Sequence, residues 1–186
     1  MGKLIYSMNV SLDGFIETPS HSLDWANVDE EVHFWFNQQT RDSAGSIYGR
    51  RMYETMTAYW PTAGTDPNAT PAMRQYGEIW SEHPKFVFSR TLESVDYGCR
   101  LVRGDIGDVL AKVRDELDGE IDVSGPNIAW QFIERGLVDE YRLVVHPVAI
   151  GAGTPFFPTR GTALNLRQVA VKRFGSGVLA LTYVPA

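Results

Sequence analysis

The stretch EIDVSGPNIAWQFIERGLVDEY, Glu120 to Tyr141, decides how the chain is read. Ile121 and Val123 alternate with polar residues as in a strand, then Gly125-Pro126 breaks the period and apolar residues return at helical spacing. Pro126 suits the first helical position, where a missing N–H costs nothing and φ is already helical. Gly136 suits a left-handed C-cap, with Leu137 folding back on Phe132. The pattern predicts strand, tight junction and helix, with the amides of Asn127 and Ile128 unpaired at the helix start. Gly125 lets another group approach that backbone, and the positive helix end favours an anion there. A Gly-Pro helix start is also ordinary turn chemistry, so its meaning depends on what surrounds it.

Upstream, residues 3–11 read as a buried strand leading into the loop SLDGFIETPSHSLDW. Asp29 can cap a helix through Arg41 that carries Val32, Phe34, Trp35 and Phe36. GSIYG reads as a strand and RRMYETM as a helix starting directly after Gly49. Tyr59 to Pro71, rich in Pro, Gly, Thr and Asn, reads as a long mobile loop. A helix over residues 72–83, the strands KFVFS and RLVRG, and a helix capped by Asp105 and stopped by Gly119 follow. Downstream, DEYRLVVHPVAIG reads as a long strand buried on both faces around Leu143 to Val145, and GAGTPFFPTRGT as a loop. Residues 165–174 and 178–184 form two strands joined by Gly175-Ser176-Gly177, a hairpin signal.

Strands alternating with helices and closed by a hairpin predict one α/β domain over 1–186: three layers, a mainly parallel central sheet with helices on both faces, and a C-terminal antiparallel hairpin. With 186 residues, 44% hydrophobic and 22% charged, the composition is that of a globular protein with a sizeable core. The 17 Lys and Arg against 23 Asp and Glu give a net charge of −6 without any basic run, which argues against nucleic-acid or anionic-membrane partners. A single cysteine, Cys99, suits a reducing compartment, and LIYSMNV is too short to be a leader or a span, so a cytoplasmic location is expected. His21, His33, His83 and His146 lack ligand spacing, and no metal is expected.

In open parallel sheets, ligands bind at the carboxyl ends of the strands. Three junctions lie there: Gly49-Arg50-Arg51, Ser89-Arg90-Thr91 and Ser124-Gly125-Pro126-Asn127-Ile128. Arginines present a rigid fork of donors to phosphate. Together the junctions suggest a dinucleotide site, with pyrophosphate between helix starts and a ribose phosphate on arginine. Each arginine alone reads better as a solvated surface charge, and only the three junctions together point to a site.

MNVSLDGFIE, LDW, IYGRRMYE, FVFSRT, the run from Ser124 to Phe157, and FGSGVLALTY resemble the dihydrofolate-reductase-like superfamily, in the branch of the riboflavin-biosynthesis deaminase/reductase reductase domains. The resemblance covers nearly the whole chain and is most specific over Ser124 to Phe157. It implies the same three-layer fold and an NADPH cofactor. Arg50 and Arg51 would lie toward the adenosine, Ser89, Arg90 and Thr91 at the 2'-phosphate, and Ser124 to Ile128 at the pyrophosphate. Met52 stands where the folate reductases carry a threonine, Ser124 replaces a glycine, and Ala129 replaces an aromatic.

On the substrate side the resemblance makes Asp13, in SLDG, the candidate catalytic acid, although Asp-Gly is equally a turn pair. Trp25, Glu30 and Phe34 are the expected substrate contacts, with Asp29 and Glu31 competing with Glu30 for the carboxylate that folate reductases place on their first helix. No segment with deaminase zinc-ligand spacing precedes the reductase, so a stand-alone enzyme is expected. The implied activity is NADPH-dependent reduction of a C=N or C=O bond in a small heterocyclic or sugar-imine substrate, by a homodimer. The competing possibility is a non-catalytic nucleotide-binding or interaction module that retains the fold.

Overall fold

The computed structural model describes residues 2–159 and 163–186. Its centre is an eight-stranded sheet in the order β5-β4-β3-β6-β1-β7-β10-β9. The strands are β1 (Leu4–Ser11), β3 (Gly45–Gly49), β4 (Lys85–Phe88), β5 (Cys99–Val102), β6 (Ile121–Ser124), β7 (Glu140–His146), β9 (Leu166–Arg173) and β10 (Leu179–Pro185). Every pairing from β5 to β7 is parallel, and β10 then runs antiparallel to both β7 and β9. The parallel sheet with its antiparallel C-terminal edge agrees with the reading of the sequence.

Five helices cover the two faces: α1 (Glu30–Asp42), α2 (Arg50–Thr57), α3 (Pro71–Glu82), α4 (Ile106–Glu116) and α5 (Pro126–Glu134). Alternation along the strands sends Leu4, Tyr6, Ile47, Phe86, Ile121 and Val123 into one core with Val109, Leu110 and Val113 of α4 and Ile128, Phe132 and Ile133 of α5. On the opposite face Val32 of α1 packs with Val144 and Ala180, while Tyr53 and Met56 of α2 and Trp80 of α3 pack with Tyr48 and Val87. The caps form where the sequence signals them. Asp29 Oδ1 accepts from Val32 N at 2.9 Å, and Asp105 accepts from Gly107 N at 2.8 Å. Gly136 takes φ +66°, and Leu137 N reaches Phe132 O at 3.0 Å.

Three expectations need correction. Tyr59 to Pro71 is no free loop: Trp60–Thr65 forms a 3-10 turn, Trp60 packs edge-on to Tyr76 with centroids 4.4 Å apart, and Ala63 is fully buried. Its aromatic residues supply the apolar contacts that hold it down. The strand after Asp139 stops at His146 because Pro147 has no N–H for the ladder. The loop after β1 also contains a short strand, β2 (Phe15–Glu17), paired with β8 (Thr154–Pro155) in a separate two-stranded sheet. Residues 160–162 of the loop read in the sequence as GAGTPFFPTRGT lie outside the described residues.

Candidate active site

Sheet order brings the three junctions together. β4, β3 and β6 are neighbours, so their carboxyl ends present Ser89-Arg90-Thr91, Gly49-Arg50-Arg51 and Gly125-Pro126-Asn127 along one rim. They line a cavity of about 820 Å³ together with Ile128 and Gln131. Neither helix that starts here has a side-chain cap: Gly49 precedes α2 and Gly125 precedes α5. Their first amides are left for a ligand, at the positive ends of both helices. Gly125 takes φ +103°, and a Cβ there would stand 3.2 Å from Met52 Cβ, so glycine serves both conformation and closeness.

The three arginines differ. Arg50 Nε donates to Glu54 at 2.7 Å and its NH1 to Thr91 Oγ1 at 3.1 Å. Arg51 donates to Glu17 Oε1 at 2.5 Å and contacts His21 Nδ1 at 3.1 Å. Glu17 is buried and also accepts from Thr154 at 2.5 Å. Burial pushes its pKa up, but hydrogen bonds from Thr154 and His21 and the charge of Arg51 outweigh burial and hold it below the usual carboxylate range. Arg90 is exposed and, among the described residues, has no hydrogen-bond or ion-pair partner. The three arginines therefore divide into two that are paired with glutamates and one that is free. Ser89 is likewise committed, since its Oγ accepts from the amides of Thr91 and Leu92.

A second cavity, of about 550 Å³, lies on the α1 and α3 side and shares Met8, Ile16, Leu23, Met52 and Thr55 with the first. Trp25, Phe36, Tyr48, Tyr59, Trp60 and Tyr76 wall it, and Ser7, Asn9, Ser46, Asp122 and Ser124 line its strand side. Ser124 thus faces this second cavity and is not part of the first, where the resemblance had put it. Trp25 lines the second cavity as expected, its indole edge-on to His146 with centroids 5.7 Å apart and its Nε1 unpartnered.

Glu30 and Phe34 line neither cavity. The phase of α1 turns His33, Phe36, Gln39 and Thr40 inward and leaves Phe34 41% exposed. Asp13 is also outside both linings. Its carboxylate accepts from Ser11 Oγ at 2.6 Å, Ile150 N at 3.1 Å and Gly151 N at 2.7 Å, pinning the β1–β2 turn to the loop after β7. The Ser11 bond, with help from those amides, holds its pKa below the usual range, the opposite of what a proton donor needs. Turn chemistry and tertiary stapling account for Asp13.

Sequence reasoning passed over Asp122, Glu17 and Gln39. Burial raises the Asp122 pKa to about 6, against a hydrogen bond from Ser43 and the charge of Arg142, and with Glu120 and Glu140 adding to the rise. The visible signal was a carboxylate between Ile121 and Val123. That alternation looks like a strand with one face in water, but β6 lies between β3 and β1 with helices on both sides, so its polar face is turned to a cavity.

Residues 2–180 match the sequence profile of the RibD C-terminal domain. The chain belongs to the RibD C-terminal domain family. The chain is similar to Bacillus subtilis (strain 168) YyaP, 31% identical over 185 residues that make up 97% of this chain and 94% of YyaP. Another protein of that strain, YwjB, is 26% identical over 99% of this chain and 98% of its own. Among solved structures, a putative riboflavin biosynthesis protein from Shewanella sp. PV-4 superposes with TM-score 0.75 at 22% identity, covering 100% of this chain and 99% of that one. A deaminase/5-amino-6-(5-phosphoribosylamino)uracil reductase from Thermotoga maritima gives TM-score 0.70 at 13% identity, with this chain covering 57% of it. These likenesses show the RibD reductase-like fold.

Proposed function

We propose that this protein is an NADPH-dependent reductase acting on a C=N or C=O bond of a small heterocyclic or sugar-imine substrate. The observation that carries this reading is the pair of joined cavities: a rim of two uncapped helix starts and a free arginine, opening across Met8, Ile16, Leu23, Met52 and Thr55 into an aromatic chamber. The rim's donors suit a dinucleotide pyrophosphate, and Arg90 suits its 2'-phosphate. Family membership supports the same cofactor. When bound, NADPH supplies the hydride. This chain's part is to hold the phosphates on the amides after Gly49 and Gly125, and to seat the substrate between aromatic rings. It also keeps water from the shared wall, where four of the five residues, Met8, Ile16, Leu23 and Met52, are apolar.

Titration of tryptophan fluorescence with NADPH and with NADH tests the reading, since Trp25 and Trp60 wall the chamber. Saturable quenching is expected, with NADPH tighter by at least about tenfold, the value of one charge-assisted contact to the 2'-phosphate. Equal affinity for both cofactors would sink the assignment of Arg90. If NADPH binds but no pterin, flavin or pyrimidine ribosyl imine oxidises it, the protein is a nucleotide-binding module.

A further inference from the structure

The second cavity is unusual for the floor of a parallel sheet. Strands covered on both faces normally carry apolar residues throughout. Here Lys85 of β4, Ser46 of β3, Asp122 of β6 and Glu140 of β7 lie in one register row on the face beneath α1 and α3. Lys85 is occupied, donating to the carbonyls of Trp80 at 2.5 Å and His83 at 2.7 Å. Ser46 contacts His83 Nε2 at 3.0 Å. Arg142, the cation nearest Asp122 in effect, is divided between Glu140 at 2.7 Å, Glu120 at 3.0 Å and the Gln39 side-chain oxygen at 2.8 Å. One arginine serving two glutamates leaves Asp122 without a cation of its own.

The remaining groups packed around Asp122 are weak partners. Ser43 bonds to it, Tyr76 of α3 is half-buried with its pKa pushed up to about 12, and burial drives His83 down to about 4, so His83 carries no charge near neutrality. Asp122 therefore lines an aromatic chamber as an acid whose nearest cation, Arg142, is already shared by two glutamates. Among the described residues, the chamber's lining contains no lysine or arginine. The oxygen of Gln39 is held by Arg142, which turns its amide nitrogen, a donor, to the other side.

We propose that Asp122 is the substrate acid of this site, and that the chamber takes a planar nitrogen heterocycle with a protonable ring nitrogen and no phosphate group. This rests on the reductase reading above. Aromatic walls hold the ring, and the Asp122 carboxyl and the ring nitrogen share one proton. When hydride from the reduced nicotinamide forms a C–H bond at the carbon of the C=N group, the π pair moves to nitrogen. Nitrogen keeps the shared proton, and the resulting Asp122 carboxylate is reprotonated from water. A phosphorylated substrate would bring its charge to a chamber that offers a carboxylate in place of a cation.

The test uses the protein without cofactor, so that its failure is distinct from a failure to bind NADPH. Benzamidine, a planar ring bearing a fixed amidinium, is titrated against tryptophan fluorescence in the wild type and in Asp122→Asn; uridine 5'-monophosphate is the phosphorylated probe. Saturable quenching by benzamidine is expected at pH 7.5, at least about tenfold weaker in the variant. Below pH about 6 the wild-type affinity falls with protonation of Asp122, while that of the variant stays flat. Thermal melts confirm that the variant is folded. Equal benzamidine affinity in the two proteins, a pH profile that the substitution leaves unchanged, or tighter binding of the nucleotide than of benzamidine would each overturn the proposal.

Discussion

Arg50, Arg51 and Arg90 carry the same guanidinium at adjoining strand ends, and their neighbours separate them. Glu54 and Glu17 neutralise the first two, so only Arg90 brings uncompensated charge to the rim. Arg90→Ala is expected to weaken NADPH binding about tenfold and to leave NADH unchanged, read by parallel fluorescence titrations. Asp122 and Asp13 contrast in the same way. Because burial raises the folded pKa of Asp122 from 3.8 to about 6, folding favours its protonated form. That stability is complete below pH about 4 and is lost as pH rises through about 6. Asp122→Asn should therefore match the wild type near pH 4 and exceed it at pH 8 by about 3 kcal/mol in urea melts. A constant difference across that range would remove Asp122 from the set of perturbed groups.

At the level of elements, α5 and α3 show how helix ends are put to different uses. The start of α5 is open, and Gly125 keeps it open by accepting φ +103° beside Met52. Gly125→Ala imposes both a strained backbone and a crowded Cβ, so a loss of about 1–3 kcal/mol is expected in chemical denaturation. The displaced Met52 should also weaken NADPH binding. The end of α3 is closed by Lys85, whose buried ammonium donates to the carbonyls of Trp80, Ser81 and His83. Lys85→Met keeps most of the stem and strands those carbonyls, a cost of about 2–4 kcal/mol by thermal or urea unfolding. Full stability in that variant would mean that water replaces the ammonium.

Over the whole molecule, the sheet order β5-β4-β3-β6-β1-β7-β10-β9 is what makes one site out of distant segments. It also leaves β9 as an outer edge on which Val169 and Val171 are 46% and 49% exposed. A homodimer covering this edge would bury them. Light scattering should then report twice the chain mass for the wild type and a shift toward monomer for Val171→Asp.

Local sequence was enough to read the order of the main-sheet strands and the five α-helices, the caps at Asp29, Asp105 and Gly136, the Gly-Pro start of α5 and the three junctions where the first cavity forms. These are local matters of period, φ and missing amides, which a few consecutive residues settle. It took the folded sheet to show which arginine stays free, that Asp13 is a staple, that α1 turns Phe36 and Gln39 inward in place of Glu30 and Phe34, and that Asp122 faces a chamber. Those outcomes depend on partners far along the chain: Arg51 finds Glu17, Asp13 finds the amides of Ile150 and Gly151, and β6 is enclosed between β1 and β3. Burial and charge pairing are properties of the assembled sheet, and alternation along IDVS looks the same whether its polar side meets solvent or an enclosed cavity.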